Sequence, residues 1–234
     1  MAKKKQKLPE KKSNLTLIYA GATVLIIAAL AVYIYTSPAP VKPPEKLPSA
    51  GKYLQIDKPT TYEAGKVKMT EFLKFNCGHC YSLNQQLPAI KKKYGENLTI
   101  TYKPMLWLSV PADLTFRKSI EAYILAERMG KGEEMKDALF NAEFVDKKDL
   151  SSEIVLGDIA RSVGLGDEFA TALKNGDAKT EADADIRLAE TFQVDETPTI
   201  ILNGNLKLNP SLTNEDITQM TQNLDTVIGS LLST

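Results

Sequence analysis

Apolar positions follow three regimes along this chain. From Leu15 to Tyr35 they are continuous: LTLIYAGATVLIIAALAVYIY is 21 residues without a charge. At about 1.5 Å per residue that run crosses a bilayer core of about 30 Å as a helix. It also exceeds the roughly 7–15 apolar residues of a cleaved signal peptide. From Lys66 the apolar positions are dense and short, and KVKMTEFLKF (66–75) and LTITYKPM (98–105) predict strands. The first is apolar enough to be covered on both faces. Between them CYSLNQQLPAIKKKYG (80–95) has helical spacing, ends at Gly95 and is expected to kink at Pro88. The unit is β-α-β, so its two strands are expected to be parallel.

The third regime, from about 111 to 176, has helical period throughout. Leu114, Ile120 and Ile124 share one face, Met135, Ala138 and Leu139 another, and Ile154, Ile159 and Val163 follow. A further helix is expected over 181–192. Then TPTIILNGNLKL (197–208) places two short β runs around Asn203-Gly204, the strongest short hairpin signal. Ile217, Met220, Leu224, Val227, Ile228 and Leu231 end the chain in helical register, with Thr213 and Asp216 in capping positions.

Charge orients the N-terminal run. MAKKKQKLPEKK carries six lysines and one glutamate, and lysines before a span keep that end in the cytoplasm. Tyr33 and Tyr35 stand where an interfacial aromatic belt would lie. The expected organisation is a basic cytoplasmic tail (1–13), one transmembrane helix (14–36), a proline-rich linker (37–51) and a domain (52–234) outside the cytoplasm. Cleavage after the span, near TSPAP, is the alternative, because small residues stand there. The linker, SPAPVKPPEKLPS at its core, reads as an extended, semi-rigid spacer. Setting the tail aside leaves 23 basic against 28 acidic residues, a net charge of −5. A mildly acidic domain gives no reason to expect nucleic acid as a partner.

The candidate chemistry is concentrated in FLKFNCGHCYSL (72–83), which holds both cysteines and the only histidine of 234 residues. Zinc needs four ligands, usually from two separated pairs, and no second pair exists. Covalent haem attachment needs a histidine after the second cysteine, where Tyr81 stands. An iron–sulfur cluster needs four thiolates. Thiol–disulfide exchange remains, against the bland alternative of two inert buried cysteines. No cofactor and no metal are implied. The CGHC falls at the carboxyl end of a strand and the start of a helix, where free backbone N–H groups and the positive end of the helix dipole meet.

The order strand, CGHC helix, strand, helical block, helix, hairpin, helix resembles an α/β thioredoxin fold with an inserted helical domain at about 111–176. That is the layout of the DsbA family of thiol–disulfide oxidoreductases. The resemblance runs over about Lys52 to Thr234 and rests on the CGHC, on ETPTI (196–200) before the hairpin, and on the block between them. It implies that Cys77 is the exposed, attacking sulfur, with a thiolate favoured by the helix N-terminus and by protonated His79. Cys80, one turn along, is then the buried resolving sulfur of the redox-active pair. Pro198 matches the family's cis-proline, which would leave the Thr197 backbone free to pair with a substrate strand; an ordinary trans proline at a strand start is the alternative. Glu71 matches a buried carboxylate that ferries the Cys80 proton, against a solvated or salt-bridged glutamate, with Lys103 as a candidate partner. Trp107 reads as packing at the domain junction.

Two residues depart from the best-known DsbA pattern. Gly78-His79 is the pair of protein disulfide isomerases, and Thr197 stands where valine is usual. The leading expectation is a membrane-tethered oxidase that introduces disulfides into exported proteins and is reoxidised by a membrane partner. Isomerase or reductase activity, sustained by a membrane electron donor, is the second reading. Copper delivery or chaperone-like binding is the third, although carriers of that type use a further, distant histidine that this chain lacks.

Overall fold

The structure is a computed structural model that describes residues 46–233 together with Tyr19 and Ile26, both helical. Apart from these two, the tail and the expected span lie outside the described residues. No helix among the described residues is long and apolar enough to cross a membrane.

Within the domain, β1 (Leu54–Gln55) and β2 (Val67–Leu73) precede α1 (Gly78–Tyr94), a short turn of 3-10 helix, and β3 (Leu98–Pro104). Six helices follow: α2 (Pro111–Leu114), α3 (Arg117–Arg128), α4 (Gly132–Phe144), α5 (Glu153–Ser162), α6 (Asp167–Asn175) and α7 (Lys179–Thr191). The hairpin β4 (Thr199–Leu202) and β5 (Leu206–Leu208) and the closing helix α8 (Ile217–Leu232) complete the fold. The expected order is therefore present, with β1 as an addition. Helix α1 runs through Pro88 without interruption.

The sheet has strand order β1-β5-β4-β2-β3, with β2 parallel to β3 and antiparallel to β4. Alternation along β2 sends Val67, Met69, Glu71 and Leu73 to one face and Phe72 to the other. The first face packs with Leu83, Leu87 and Ile90 of α1 and Leu224 of α8. Phe72 joins Met105, Ala189, Val194 and Ile201 beneath α7. Both faces are covered, so β2 reads as nearly continuous apolar sequence.

The hairpin turn is locked to its surroundings. Asn203 and Gly204 adopt φ of 47° and 82°, and the Lys68 N–H donates to the Asn203 side chain at 3.0 Å. A Cβ at Gly204 would lie 2.7 Å from the Pro59 carbonyl oxygen, so backbone approach as well as φ requires glycine. Asp216 caps α8 by accepting from the Gln219 N–H at 3.0 Å. Thr213, the other expected cap, instead ends a 3-10 turn (Pro210–Thr213). Residues 46–51, read as the end of the linker, lie along α8, where the Ser49 N–H donates to Ser230 Oγ at 2.6 Å. The side chain of Asn223 pairs in the same way with both backbone groups of Lys52.

Candidate active site

Strand β2 ends at Leu73, and a turn closed by the Cys77 N–H on the Lys74 carbonyl, at 3.1 Å, delivers the CGHC to the start of α1. Cys77 is the N-cap of that helix, with extended φ and ψ of −102° and 118°. Its sulfur takes the place of a capping serine oxygen and accepts from the Cys80 N–H at 3.4 Å. No acidic residue lies in the first turn, so nothing there opposes a negative sulfur. Cys77 is half-buried, Gly78 and His79 are exposed, and Cys80 is fully buried. Both cysteines are free thiols.

The opposite wall comes from the far end of the domain. The Thr197-Pro198 peptide is cis, as the resemblance implied, and both residues are buried. The Cys77 thiol donates to the Thr197 carbonyl oxygen at 3.2 Å. Cys77, Cys80, Thr197 and Pro198 are thus brought together, with Gly78 and His79 on the solvent side.

The two sulfurs differ strongly in acidity. The Cys77 thiol is lowered from an ordinary 9.0 to about 5, first by the Cys80 thiol that donates to it. Partial burial opposes this, and the Thr197 side chain and the backbone N–H groups of Cys80 and His79 add to it. Burial pushes the Cys80 thiol well above its ordinary value, and the neighbouring Cys77 and Glu71 push it further. The contribution of His79 to Cys77 is through its backbone N–H, and its imidazole lies in solvent.

Glu71 lies beneath the helix at 1% exposure, which excludes the solvated alternative. One carboxyl oxygen, Oε2, is buried with no hydrogen-bond partner. Burial raises this carboxyl from 4.5 to about 8, against the opposing fields of Lys136 and Lys91. Lys103 is not its partner: it pairs with Asp185 of α7 at 2.9 Å. Register explains this, since Lys103 stands opposite Phe72 and so faces the other side of the sheet.

Two contributors carried no local signal. Asp113, in the short helix α2, is buried and binds the Lys74 ammonium at 2.5 Å, Asn76 Nδ2 at 3.3 Å and the Trp107 N–H at 3.0 Å. It therefore clamps the turn just before Cys77. Trp107 is partly buried against the Phe72 cluster, with the Lys74 ammonium 5.7 Å from its ring centroid. The buried amine of Lys136, on α4, is the second. Among the described residues no group of three or more His, Cys, Asp or Glu side chains is placed to hold a metal ion.

A family model described as the DSBA-like thioredoxin domain matches residues 68–225. The chain belongs to that family. It is 26% identical over 171 residues to the thiol:disulfide interchange protein DsbA of Burkholderia cepacia, covering 71% of this chain and 78% of that protein. With the DsbA of Escherichia coli K12 it shares 27% over 166 residues, 68% of this chain and 75% of the relative. The crystal structure of the oxidoreductase DsbA from Xylella fastidiosa has the same fold, with a TM-score of 0.62 at 21% identity over 79% of this chain and 97% of that one. Family membership and the CGHC site together make this DsbA-like chain a thiol–disulfide oxidoreductase.

Proposed function

We propose that this DsbA-like protein is a disulfide oxidase for exported proteins. The observation that carries the reading is the acidity of Cys77, about 5 against 9.0 for an ordinary thiol. A thiolate exists only in the reduced protein, so whatever stabilises it makes the disulfide a stronger oxidant. At pH 7 an ionised Cys77 favours reduction by about 60 mV relative to an unperturbed thiol, at about 30 mV per pH unit for two electrons.

In the proposed cycle a substrate thiolate attacks Cys77 of the disulfide. The Cys77–Cys80 bond breaks, Cys80 leaves and takes a proton from Glu71, and a mixed disulfide remains. A second substrate thiolate attacks the substrate sulfur of that bond, and Cys77 departs as a thiolate. Two substrate thiols become one disulfide and release two protons, one of which restores Glu71. The pair ends reduced, with Cys80 as a thiol and Cys77 as a thiolate. Thr197 and Pro198 form the wall beside Cys77 where an extended substrate would lie, its backbone paired with that of Thr197.

The charge-free run over 14–36, preceded by lysines, supports a single-pass anchor with the domain on the extracytoplasmic side. A membrane-bound acceptor of electrons would then reoxidise the pair. Protease added to right-side-out vesicles is expected to digest the domain, and protection would refute this topology. Acid quench and alkylation of cells reads the redox state directly. A mostly oxidised Cys77–Cys80 pair supports the oxidase, whereas a mostly reduced one selects the isomerase or reductase that Gly78-His79 and Thr197 favour.

A further inference from the structure

The lysine nearest in effect to Glu71 does not come from the sheet. Lys136 sits on α4, in the inserted helical block, and its side chain is only 3% exposed. Its ammonium donates to Asn84 Oδ1 on α1 and to Asp137 Oδ1 at 2.9 Å. It also lies 4.6 Å from the ring centroid of Tyr102. Asn84 is one helical turn beyond Cys80 on the same buried face, and Tyr102 stands directly opposite Glu71 in the β2–β3 register. The amine therefore reaches from the insertion into the space between the CGHC helix and the strand that carries Glu71.

Two buried oxygens in that space, Glu71 Oε2 and the Tyr102 hydroxyl, have no hydrogen-bond partner. A buried ammonium is costly without compensation, and Asp137, its one close anionic partner, is 55% exposed. Glu133 of α4 lies further from it, at 3.5 Å, and is held more closely by Lys91 of α1 at 2.6 Å. Lys91 sits 5.2 Å from the Tyr102 ring centroid at the mouth of the space. Cys77 and Cys80 face Glu71 from α1, and Tyr123 of α3 lines the same open cavity as Tyr102 and Glu133.

We infer that Lys136 is a positioning residue for the redox site: the inserted block supplies the cation that sets the charge state of Glu71, and so its readiness to exchange a proton with Cys80. The inference rests on the proton-carrier role proposed for Glu71. Lys136 itself touches neither sulfur. Its field lowers the cost of the Glu71 carboxylate, which is the state left after Glu71 has given its proton to the departing Cys80 thiolate. Without that cation the carboxyl holds its proton more tightly and donates it less readily.

The test uses the full chain in detergent micelles. The protonated carboxyl band of Glu71, assigned by its loss in Glu71→Gln, is followed by infrared difference spectroscopy against pH. Lys136→Met and Lys136→Gln are expected to move its midpoint up by about one pH unit, the effect of losing one nearby opposite charge, and Lys136→Arg is expected to restore it. Circular dichroism checks that each variant is folded. The pH profile of mixed-disulfide formation should shift in the same sense in the neutral variants. That shift should vanish when Glu71→Gln is also present. An unmoved carboxyl midpoint in both neutral variants would overturn the inference, as would a rate shift that persists without Glu71. If the midpoint moves while Glu71→Gln leaves the rate profile unchanged, the coupling stands as a charge effect, its link to Cys80 is overturned, and the proton-carrier reading of Glu71 fails.

Discussion

The Cys77 sulfur lies 3.2 Å from the carbonyl oxygen of Thr197, a residue 120 positions further along the chain. The contact joins the start of the CGHC helix to the residue before the cis-proline, and it brings the Thr197 side chain into the environment of the thiol.

Thr197→Val removes a hydroxyl that favours the Cys77 thiolate while leaving the backbone carbonyl in place. The midpoint of Cys77, followed by thiolate absorbance, is expected to rise by about one pH unit. The reduction potential should fall by about 30 mV, equivalent to about 1.4 kcal/mol for two electrons. An unchanged midpoint would show that only backbone groups and Cys80 hold the charge.

Cys77 also makes the stability of the reduced form depend on pH. Its folded value of about 5 lies below the ordinary 9.0. The stabilisation it contributes is complete above pH 9 and is lost as pH falls through 5. The disulfide form has no such group. The advantage of the reduced over the oxidised protein in melting temperature should therefore shrink on acidification from pH 8 to pH 4. A gap that stays constant across that range contradicts the assignment.

Glu71 has the opposite sign. Its folded carboxyl is raised to about 8 from 4.5, so its relative stability is complete below pH 4.5 and lost as pH rises through 8. Glu71→Gln keeps the shape and removes the charge. Its gain in stability over the parent should grow from near zero at pH 4 to the order of 3–5 kcal/mol at pH 8 and above. Denaturant titrations at the two pH values measure it. In the proposed cycle the same variant exchanges disulfides more slowly, because Cys80 loses its proton donor.

Asp113→Ala should cost about 3 kcal/mol, since it strands the largely buried Lys74 ammonium and frees Asn76 and the Trp107 N–H. Lys74, Asn76 and the Trp107 N–H hold the Asp113 carboxyl below its usual range against the cost of burial. The clamp is therefore lost only in acid, as pH falls through that lowered value. Loss of the clamp releases the turn before Cys77, so alkylation of Cys77 should also change. A melting temperature within a degree of the parent would refute the clamp.

Much of this protein was legible in its sequence because the signals are local. CGHC after an apolar strand, helical spacing after Cys80, Asn203-Gly204 between β runs, and Pro198 just before them each specify a conformation within about ten residues. Their order then specified the fold through the resemblance it produced. Strand β1 left little signal, because two residues are too few to show a period.

The partners of the buried charges were not legible. Lys103 and Glu71 look equally near in sequence terms, but a strand turns successive side chains to opposite faces. Register places Lys103 opposite Phe72 and Tyr102 opposite Glu71. A one-residue difference thus sends one side chain towards Asp185 and the other beneath the CGHC helix. Asp113 and Lys136 reach the site from 36 and 59 positions beyond Cys77, on helices whose own period concerns only their apolar faces. Sequence by itself determined the reactive pair, the elements that carry it and the residue opposite it. Only the tertiary structure decided which charges share its low-dielectric surroundings, because burial and long-range approach are properties of the packed chain and leave no local pattern.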